Sequence, residues 1–395
     1  MFTNFSIANP QMSDFSLTSN QVNNTRPSNH DPINEWKMSI PNHTSPDLAN
    51  SLRTQKEYTI IGVGTPCLDI IYRVTSLFLQ KYGLKPGDWH RMTQWDQFST
   101  LLTDARSEHI LLTSENPITR TGGSSSNTIK ILASLKNSTA FFCKLGDHPS
   151  CDLFRTVMNK LNIDLLAEPS DDSITQIAVF ITAEGQRTFV SYPSLSLDLS
   201  EDILLDKRPF QGVKLAHFEG YMLKEFSFDF LTACIKSAKE SGAMVSFDLG
   251  SPFIAEEKSS EILSLLRNVD ILFANESEVK ALLPQHSIEE SASFLTSPHY
   301  PSICVFFKGS EGALVCSRDH APFLSPAHEA EAIDTNGAGD AFIAGFLDRY
   351  LKNSSLEECA WVGNLLGGTL VTVPGAEIPD SLWPSLLKQI EGGAG

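Results

Sequence analysis

Short apolar runs alternate with longer helical stretches from Tyr58 onward, and this alternation limits the fold more than any other feature. The first run, Thr59-Ile60-Ile61-Gly62-Val63-Gly64, is apolar throughout and ends in glycine. Ala140–Lys144, Leu215–Glu219, Met244–Asp248, Ile271–Ala274 and Ile303–Lys308 follow the same style. A run apolar at every position suits a strand covered on both faces. Phe228–Ser241 and Ser277–Leu283, between such runs, carry helical spacing. The expected fold class is α/β: a doubly wound, mostly parallel sheet flanked by helices on both sides. With 41% hydrophobic residues in 395, the chain has enough apolar side chain for that core.

One region breaks the alternation. Thr175–Phe180, the turn Ala183-Glu184-Gly185-Gln186, and Arg187–Tyr192 read as a β-hairpin. Asp69–Val74 and Pro117–Thr121 also read as strands outside the main repeat. Strands near 69–74, 117–121 and 175–192 are expected to form a small β-sheet, and such a sheet beside a nucleotide-binding fold acts as a lid. Residues 1–56 stand apart, rich in Asn, Ser, Thr and Pro without a persistent period. They are expected to be a disordered tail, with a targeting or docking segment as the alternative. The folded domain is expected over 57–395.

The net charge of -17, with lysines and arginines scattered, argues against a nucleic-acid partner. No apolar run reaches the length of a membrane span, so no membrane partner is expected. The seven cysteines lack a Cys-x-x-Cys spacing and sit in apolar surroundings. They read as buried, reduced thiols of a cytoplasmic protein rather than as a disulfide framework or zinc site.

Three segments carry chemistry. Asp334-Thr335-Asn336-Gly337-Ala338-Gly339-Asp340 precedes the helical run Ala341–Leu347. Free backbone N–H groups and the helix dipole at such a start favour an anion, and small residues allow close approach. Asp340, in the first turn, is placed to take a proton from an attacking hydroxyl. Alone, the segment reads equally as a glycine-rich turn with a capping acid. Thr121-Gly122-Gly123-Ser124-Ser125-Ser126-Asn127 opens a helix expected over Thr128–Leu135. Its bare backbone suits a ring carrying hydroxyls, and Asn127 offers a donor and an acceptor. Asn275-Glu276-Ser277-Glu278 follows a strand and offers oxygen donors of the kind magnesium takes; otherwise it is an acidic helix start.

Together these segments resemble the ribokinase-like (PfkB) carbohydrate and nucleoside kinases over Tyr58–Ile378. The resemblance implies ATP-dependent phosphoryl transfer to a hydroxyl. It implies Asp340 as catalytic base and Gly337, Ala338 and Gly339 as the anion hole. Gly122, Gly123, Asn127, Asp69 and Thr65 would bind substrate. Asn275 and Glu278 would organise magnesium through water, and Asp334 and Thr335 would lie beside a monovalent cation such as potassium. The nucleotide would contact Asn275, Gly337 and Gly339, the turn Lys308-Gly309-Ser310-Glu311-Gly312, and a helix holding Gly363, Asn364 and Gly367.

Within the family the chain is most similar to adenosine kinases and their bacterial relatives. Gly64-Thr65-Pro66-Cys67-Leu68-Asp69, the Leu84–Asp88 segment with its helical insert to Asn116, and Val269–Glu276 carry that similarity. Adenosine kinases carry Asn where Thr65 stands. Tyr221 or Phe189 would supply an aromatic wall for a base. Glu219, at a strand end, is placed where sugar kinases contact substrate, which keeps a ribose- or fructose-type acceptor as the alternative. A silent ligand-binding protein on the same fold is the alternative from another class, against which all three segments are intact. A dinucleotide-dependent oxidoreductase lacks its third glycine after Gly62-Val63-Gly64. The partner is therefore a small nucleoside or sugar, and the resemblance admits a monomer or a homodimer.

Overall fold

The computed structural model describes residues 57–168, 174–192 and 209–393; the expected tail, 1–56, lies outside them. The main sheet has nine strands in the order β14-β13-β12-β11-β10-β9-β1-β5-β6. These are β1 (Ile60–Val63), β5 (Thr139–Lys144), β6 (Asp164–Glu168), β9 (Leu215–Glu219), β10 (Met244–Asp248), β11 (Ile271–Asn275), β12 (Ile303–Phe307), β13 (Ala313–Ser317) and β14 (Phe323–Ser325). Every pairing from β6 across to β12 is parallel, and β13 and β14 close the far edge antiparallel.

The central strands are mostly apolar and buried at nearly every position because both faces are covered. Ile61, Leu272 and Ala274 join one core with Phe230, Ile235, Ile262 and Val279. Ile60, Ile271 and Phe273 join the other with Ile129, Phe154, Ile343 and Leu366. Alternate residues of one strand thus feed two hydrophobic layers, as a doubly wound sheet requires. The helices Phe228–Glu240, Ser259–Leu265 and Glu276–Leu282 cover the first face. Ser124–Ser134, Asp152–Lys160, Ala338–Leu351 and Leu356–Leu370 cover the second. Among the described residues, no helix is long and apolar enough to cross a membrane.

The second sheet has the order β3-β8-β7-β2-β4: β3 (Trp89–Arg91), β8 (Arg187–Tyr192), β7 (Thr175–Ile181), β2 (Cys67–Arg73) and β4 (Ile118–Gly122). The helix Trp95–Thr113 fills the insert before β4 and packs Phe98 onto Tyr192. In one ladder row, Arg120, Asp69, Ile177, Ser191 and Arg91 lie side by side. Paired residues share a face, and so do residues two apart, so Arg187, Phe189 and Trp89 share theirs. That face turns toward the main sheet. Arg91 donates to the Lys224 carbonyl at 3.2 Å, Arg120 to the Pro374 carbonyl at 2.6 Å, and Arg187 pairs with Asp334.

Two local features depart from the expectation. The helix expected at Thr128 begins at Ser124, with Gly123 as its N-cap. Its first turn is Ser-Ser-Ser-Asn, poor helix formers that tertiary hydrogen bonds hold in place. The strands β3, β6, β13 and β14 were not expected; β3 and β14, at three residues each, are too short for a period to show.

Candidate active site

The sheet's strand order reverses between β9 and β1, and the lid strand β2 departs directly from the carboxyl end of β1. Ligand crevices in open α/β sheets form at this reversal, outside the carboxyl ends of the strands. Thr65, Glu219, Asp248 and Asn275 all stand at those ends. The N-termini of the Ser124 and Ala338 helices meet there as well. Asp340 Oδ1 accepts from the Ser124 hydroxyl at 2.7 Å, and Oδ2 accepts from Asn127 Nδ2 at 2.9 Å. Thr128 adds a hydroxyl bond to the Asp340 carbonyl at 3.3 Å.

Gly337 caps the Ala338 helix in the left-handed region, at φ 76°. The first backbone bond after it runs from Ala341 N–H to the Gly337 carbonyl at 2.9 Å. The Gly339 and Asp340 N–H groups therefore have no partner inside the helix. They sit beside the Asp340 carboxylate, which is nearly buried. Burial pushes its pKa up to about 6, against the Asn127 and Ser124 hydrogen bonds that favour the charged form. This is a carboxyl group poised close to neutrality, next to a positive helix end.

Across from it lies Asp69 on β2, half-buried, its pKa also pushed up to about 6 by burial while Lys130 opposes the shift. Gly122 packs directly on this carboxylate: a Cβ there would stand 2.6 Å from Asp69 Oδ1. Gly123 has φ 99°, and a Cβ there would stand 2.5 Å from the Thr65 carbonyl. Asn127 Oδ1 and Thr65 Oγ1 are buried without a hydrogen-bond partner. Buried polar atoms left in this state are what a hydroxyl-bearing ligand would satisfy.

Two buried acids complete the floor. Glu219 accepts from Thr65 N–H at 3.3 Å and Ser125 N–H at 2.6 Å. Burial raises its pKa to about 7. Each of its oxygens thus accepts from backbone, at the strand end where the sequence suggested a substrate contact. Asp248, which sequence reading missed, is held well above the carboxylate range by burial and by the nearby Glu278, Asp340 and Glu219 charges. Its Oδ2 lies 3.4 Å from the Ser124 hydroxyl. The Ser124 hydroxyl thus stands between two carboxylates, nearer to Asp340 than to Asp248. The only sequence signal for Asp248 was its place at a strand end, shared by many residues without chemistry.

Asn275 and Glu278 form a reciprocal capping box. Asn275 Oδ1 accepts from Glu278 N–H at 2.9 Å, and Glu278 Oε2 accepts from Asn275 N–H at 2.8 Å. Asn275 Nδ2 donates to Glu278 Oε1 at 2.7 Å. The structural and chemical readings of this motif therefore coexist. Burial raises the Glu278 pKa too. Among the described residues, no group of three or more His, Cys, Asp or Glu is arranged to hold a metal ion directly.

The remaining expected residues divide. Lys308 follows β12 and pairs with Glu276 at 2.7 Å, and Gly309 and Gly312 bound the turn into β13. Asn364 is buried, with its Nδ2 donating to the Ser325 carbonyl and hydroxyl at 3.1 and 2.9 Å. It ties its helix to β14. Tyr221 is tied down as well: its hydroxyl donates to the Gly250 carbonyl at 2.8 Å. Phe189 remains on the inner lid face with Trp89 as its register partner. Asp334 is buried and accepts from Asn336 N–H at 2.8 Å and Gly375 N–H at 2.6 Å, while Thr335 is exposed.

A parallel doubly wound sheet with a β-lid, and an aspartate at a glycine-capped helix start, define a phosphoryl-transfer enzyme. Residues 100–382 match the description "pfkB family carbohydrate kinase", and the chain belongs to that family. It is an ATP-dependent phosphotransferase with a hydroxyl acceptor. Among curated relatives, an ATP-dependent ribose-1-phosphate kinase of Halopiger xanaduensis is 27% identical over 65% of this chain and 81% of its own. An adenosine kinase of Schizophyllum commune is 25% identical over 83% of this chain and 98% of its own. Among solved structures, adenosine kinase from Sinorhizobium meliloti superposes with TM-score 0.75 and 26% identity, covering 84% of this chain and 99% of that one.

Proposed function

We propose that this chain phosphorylates the primary hydroxyl of a nucleoside, adenosine-like in its sugar, with Asp340 as general base. The observation that carries the reading is the Asp340 carboxylate, buried at a helix N-terminus and fixed on both oxygens by Ser124 and Asn127. A base must be oriented before substrate arrives, and here orientation costs nothing at the moment of reaction.

Asp69 would accept from two ribose hydroxyls, beside the bare Gly122 and Gly123 backbone. The unpartnered Asn127 Oδ1 and Thr65 Oγ1 would meet the same ring. The inner lid face carries Trp89 and Phe189 at paired positions, two aromatic side chains of a kind suited to a base. Glu219 accepts a backbone N–H on each oxygen and so fixes Thr65 and Ser125 in the site.

In the reaction, Asp340 takes the proton of the hydroxyl as its oxygen bonds to the γ-phosphorus of ATP. The bond from that phosphorus to the β,γ-bridging oxygen breaks, and ADP leaves. The Gly339 and Asp340 N–H groups, with Gly337 and Ala338, stabilise charge on the transferring group. The lid keeps water from competing. The turn Lys308–Gly312 and the strand end at Asn275 would face ATP, while Asn364 would act by fixing its helix. Asn275, Glu278 and the adjacent Asp248 fit magnesium held through water, since these buried acids form no ion pair among the described residues. When bound, magnesium neutralises phosphate charge. All of these groups come from one chain, so the site needs no second copy. The seven cysteines are all buried, which suits a reducing, cytoplasmic setting.

The test is ADP release over a panel of nucleosides and sugars, including adenosine and ribose, with Asp340→Asn in parallel. Adenosine-like nucleosides should give the highest kcat/KM, and Asp340→Asn should lower kcat by about 10²-fold or more. Sugars outperforming every nucleoside would establish the alternative. A fully active Asp340→Asn would remove the base.

A further inference from the structure

The family resemblance places a monovalent cation beside Asp334 and Thr335, and the oxygens of this chain do not fit one. A cation site needs oxygen lone pairs turned inward and free. Here they are capped by N–H donors. Asp334 Oδ1 accepts from Asn336 N–H, and Oδ2 accepts from Gly375 N–H. Oδ2 also pairs with the Arg187 guanidinium. Around them, the Val371 carbonyl accepts from Ile333 and Asp334 N–H at 2.7 and 3.0 Å. The Pro374 carbonyl accepts from Arg120 at 2.6 Å, and the Thr335 carbonyl from Ala338 N–H at 3.3 Å.

A buried carboxylate next to an anion hole still needs a positive partner. Asp334 has one, and it comes from the lid. Arg187 opens β8, directly after the exposed hairpin turn Ala183–Gln186. Arg120, from β4 at the opposite edge of the same sheet, grips Pro374, the residue before Gly375. Two lid strands thus hold the loop that holds Asp334. A guanidinium is permanently charged and directional, so it can fill this role without ion exchange.

We propose that Arg187 is the resident cation of the Asp334 site, taking the place of potassium, so that this kinase needs no monovalent ion. The charge that steadies the loop before the anion hole then arrives with the lid. Lid closure and assembly of the Asn336–Gly339 loop become one event.

The inference rests on the proposed reaction only for its kinetic arm, so the deciding measurement needs no substrate. The full chain is melted in potassium, sodium and choline chloride at equal ionic strength. The unliganded wild type should melt at the same temperature in all three. ADP release, with whichever acceptor the panel identifies, should likewise be unchanged between them. A saturable rise in melting temperature or rate with potassium over choline would overturn the proposal. A double-mutant cycle keeps it testable if one variant folds poorly. Arg187→Gln should lower the melting temperature by several degrees. Asp334→Asn combined with Arg187→Gln should lower it less than the two separate losses together. Additive losses would overturn the pairing on which the proposal stands.

Discussion

At the scale of single residues, the candidate site depends on how Asp340 is kept ready to ionise inside a closed crevice. Burial raises its pKa, and the Asn127 and Ser124 hydrogen bonds bring it part of the way back. As the proposed base, Asp340 must be ionised to act, so the wild-type rate should fall on the acid side of about pH 6. Removing a hydrogen bond to the charged form should push that limb upward. Ser124→Ala is therefore expected to shift the acid limb of the kcat profile to higher pH while the rate at alkaline pH recovers. Asn127 is a poorer probe, because its free Oδ1 also belongs to the proposed ring contact. An unmoved limb in Ser124→Ala, with activity retained, would show that Asp340 does not set the profile. Asp340, Asn127 and Gly123 were legible in the sequence because each sits in a motif with rigid local spacing. Ser124, Asp248 and Arg187 were not. Their roles arise from contacts to residues 216, 124 and 147 positions away in the chain, which no local pattern encodes.

At the scale of elements, what could be read was whatever repeats within a few residues. The strands β1, β9, β10, β11 and β12 are buried at nearly every position and mostly apolar because both faces are covered, and that leaves a plain signature. The hairpin β7–β8 was legible from its Ala-Glu-Gly-Gln turn. The edge strand β14 was hidden because it is three residues long, and β13 because it turns back antiparallel on its neighbour with no α-helix between, outside the alternation that marks the others. The start of the Ser124 helix was misplaced for a different reason. Local propensity disfavours helix over Ser-Ser-Ser-Asn, while Ser126 bonding to the Gly122 carbonyl and Ser125 N–H bonding to Glu219 enforce it. That start depends on Gly123. A side chain there would suffer the left-handed strain of about 1–2 kcal/mol and meet the Thr65 carbonyl. Gly185 shares the positive φ, at the open lid turn, with nothing within 4 Å of its would-be Cβ. Gly123→Ala should therefore cost more than Gly185→Ala, which should lose only about 1 kcal/mol. Urea midpoints at constant m-value measure both. Equal losses would mean that the Thr65 contact yields easily and does not set the helix start.

At the scale of the whole molecule, the site places several carboxylates where their charge is costly. Asp69 and Asp340 have folded pKa values near 6 and Glu219 near 7, with Asp248 held above the carboxylate range, all chiefly by burial. In the unfolded chain the same groups ionise near 4. Between those values the folded state holds protons that the unfolded state has released. Stability must then fall as pH rises through the window from about 4 to about 7. The sign is opposite to that of salt-bridged carboxylates, which lose stability as pH falls. The ligand-free chain should melt several degrees higher at about pH 5 than at about pH 8. Asp248→Asn tests the cause, since an amide imitates the protonated acid and keeps an oxygen and a nitrogen near Ser124. It should raise the melting temperature at about pH 8 more than at about pH 5, because only at the higher pH does the unfolded wild-type chain gain fully from ionising that residue. A wild-type melting temperature that rose toward about pH 8 would mean that surface ion pairs, not the buried acids, govern the pH response. An equal gain from Asp248→Asn at both pH values would show that Asp248 releases no proton on unfolding. The cost of ionising these buried acids is also what cationic groups entering the crevice would relieve, so binding energy and the pH slope have one source.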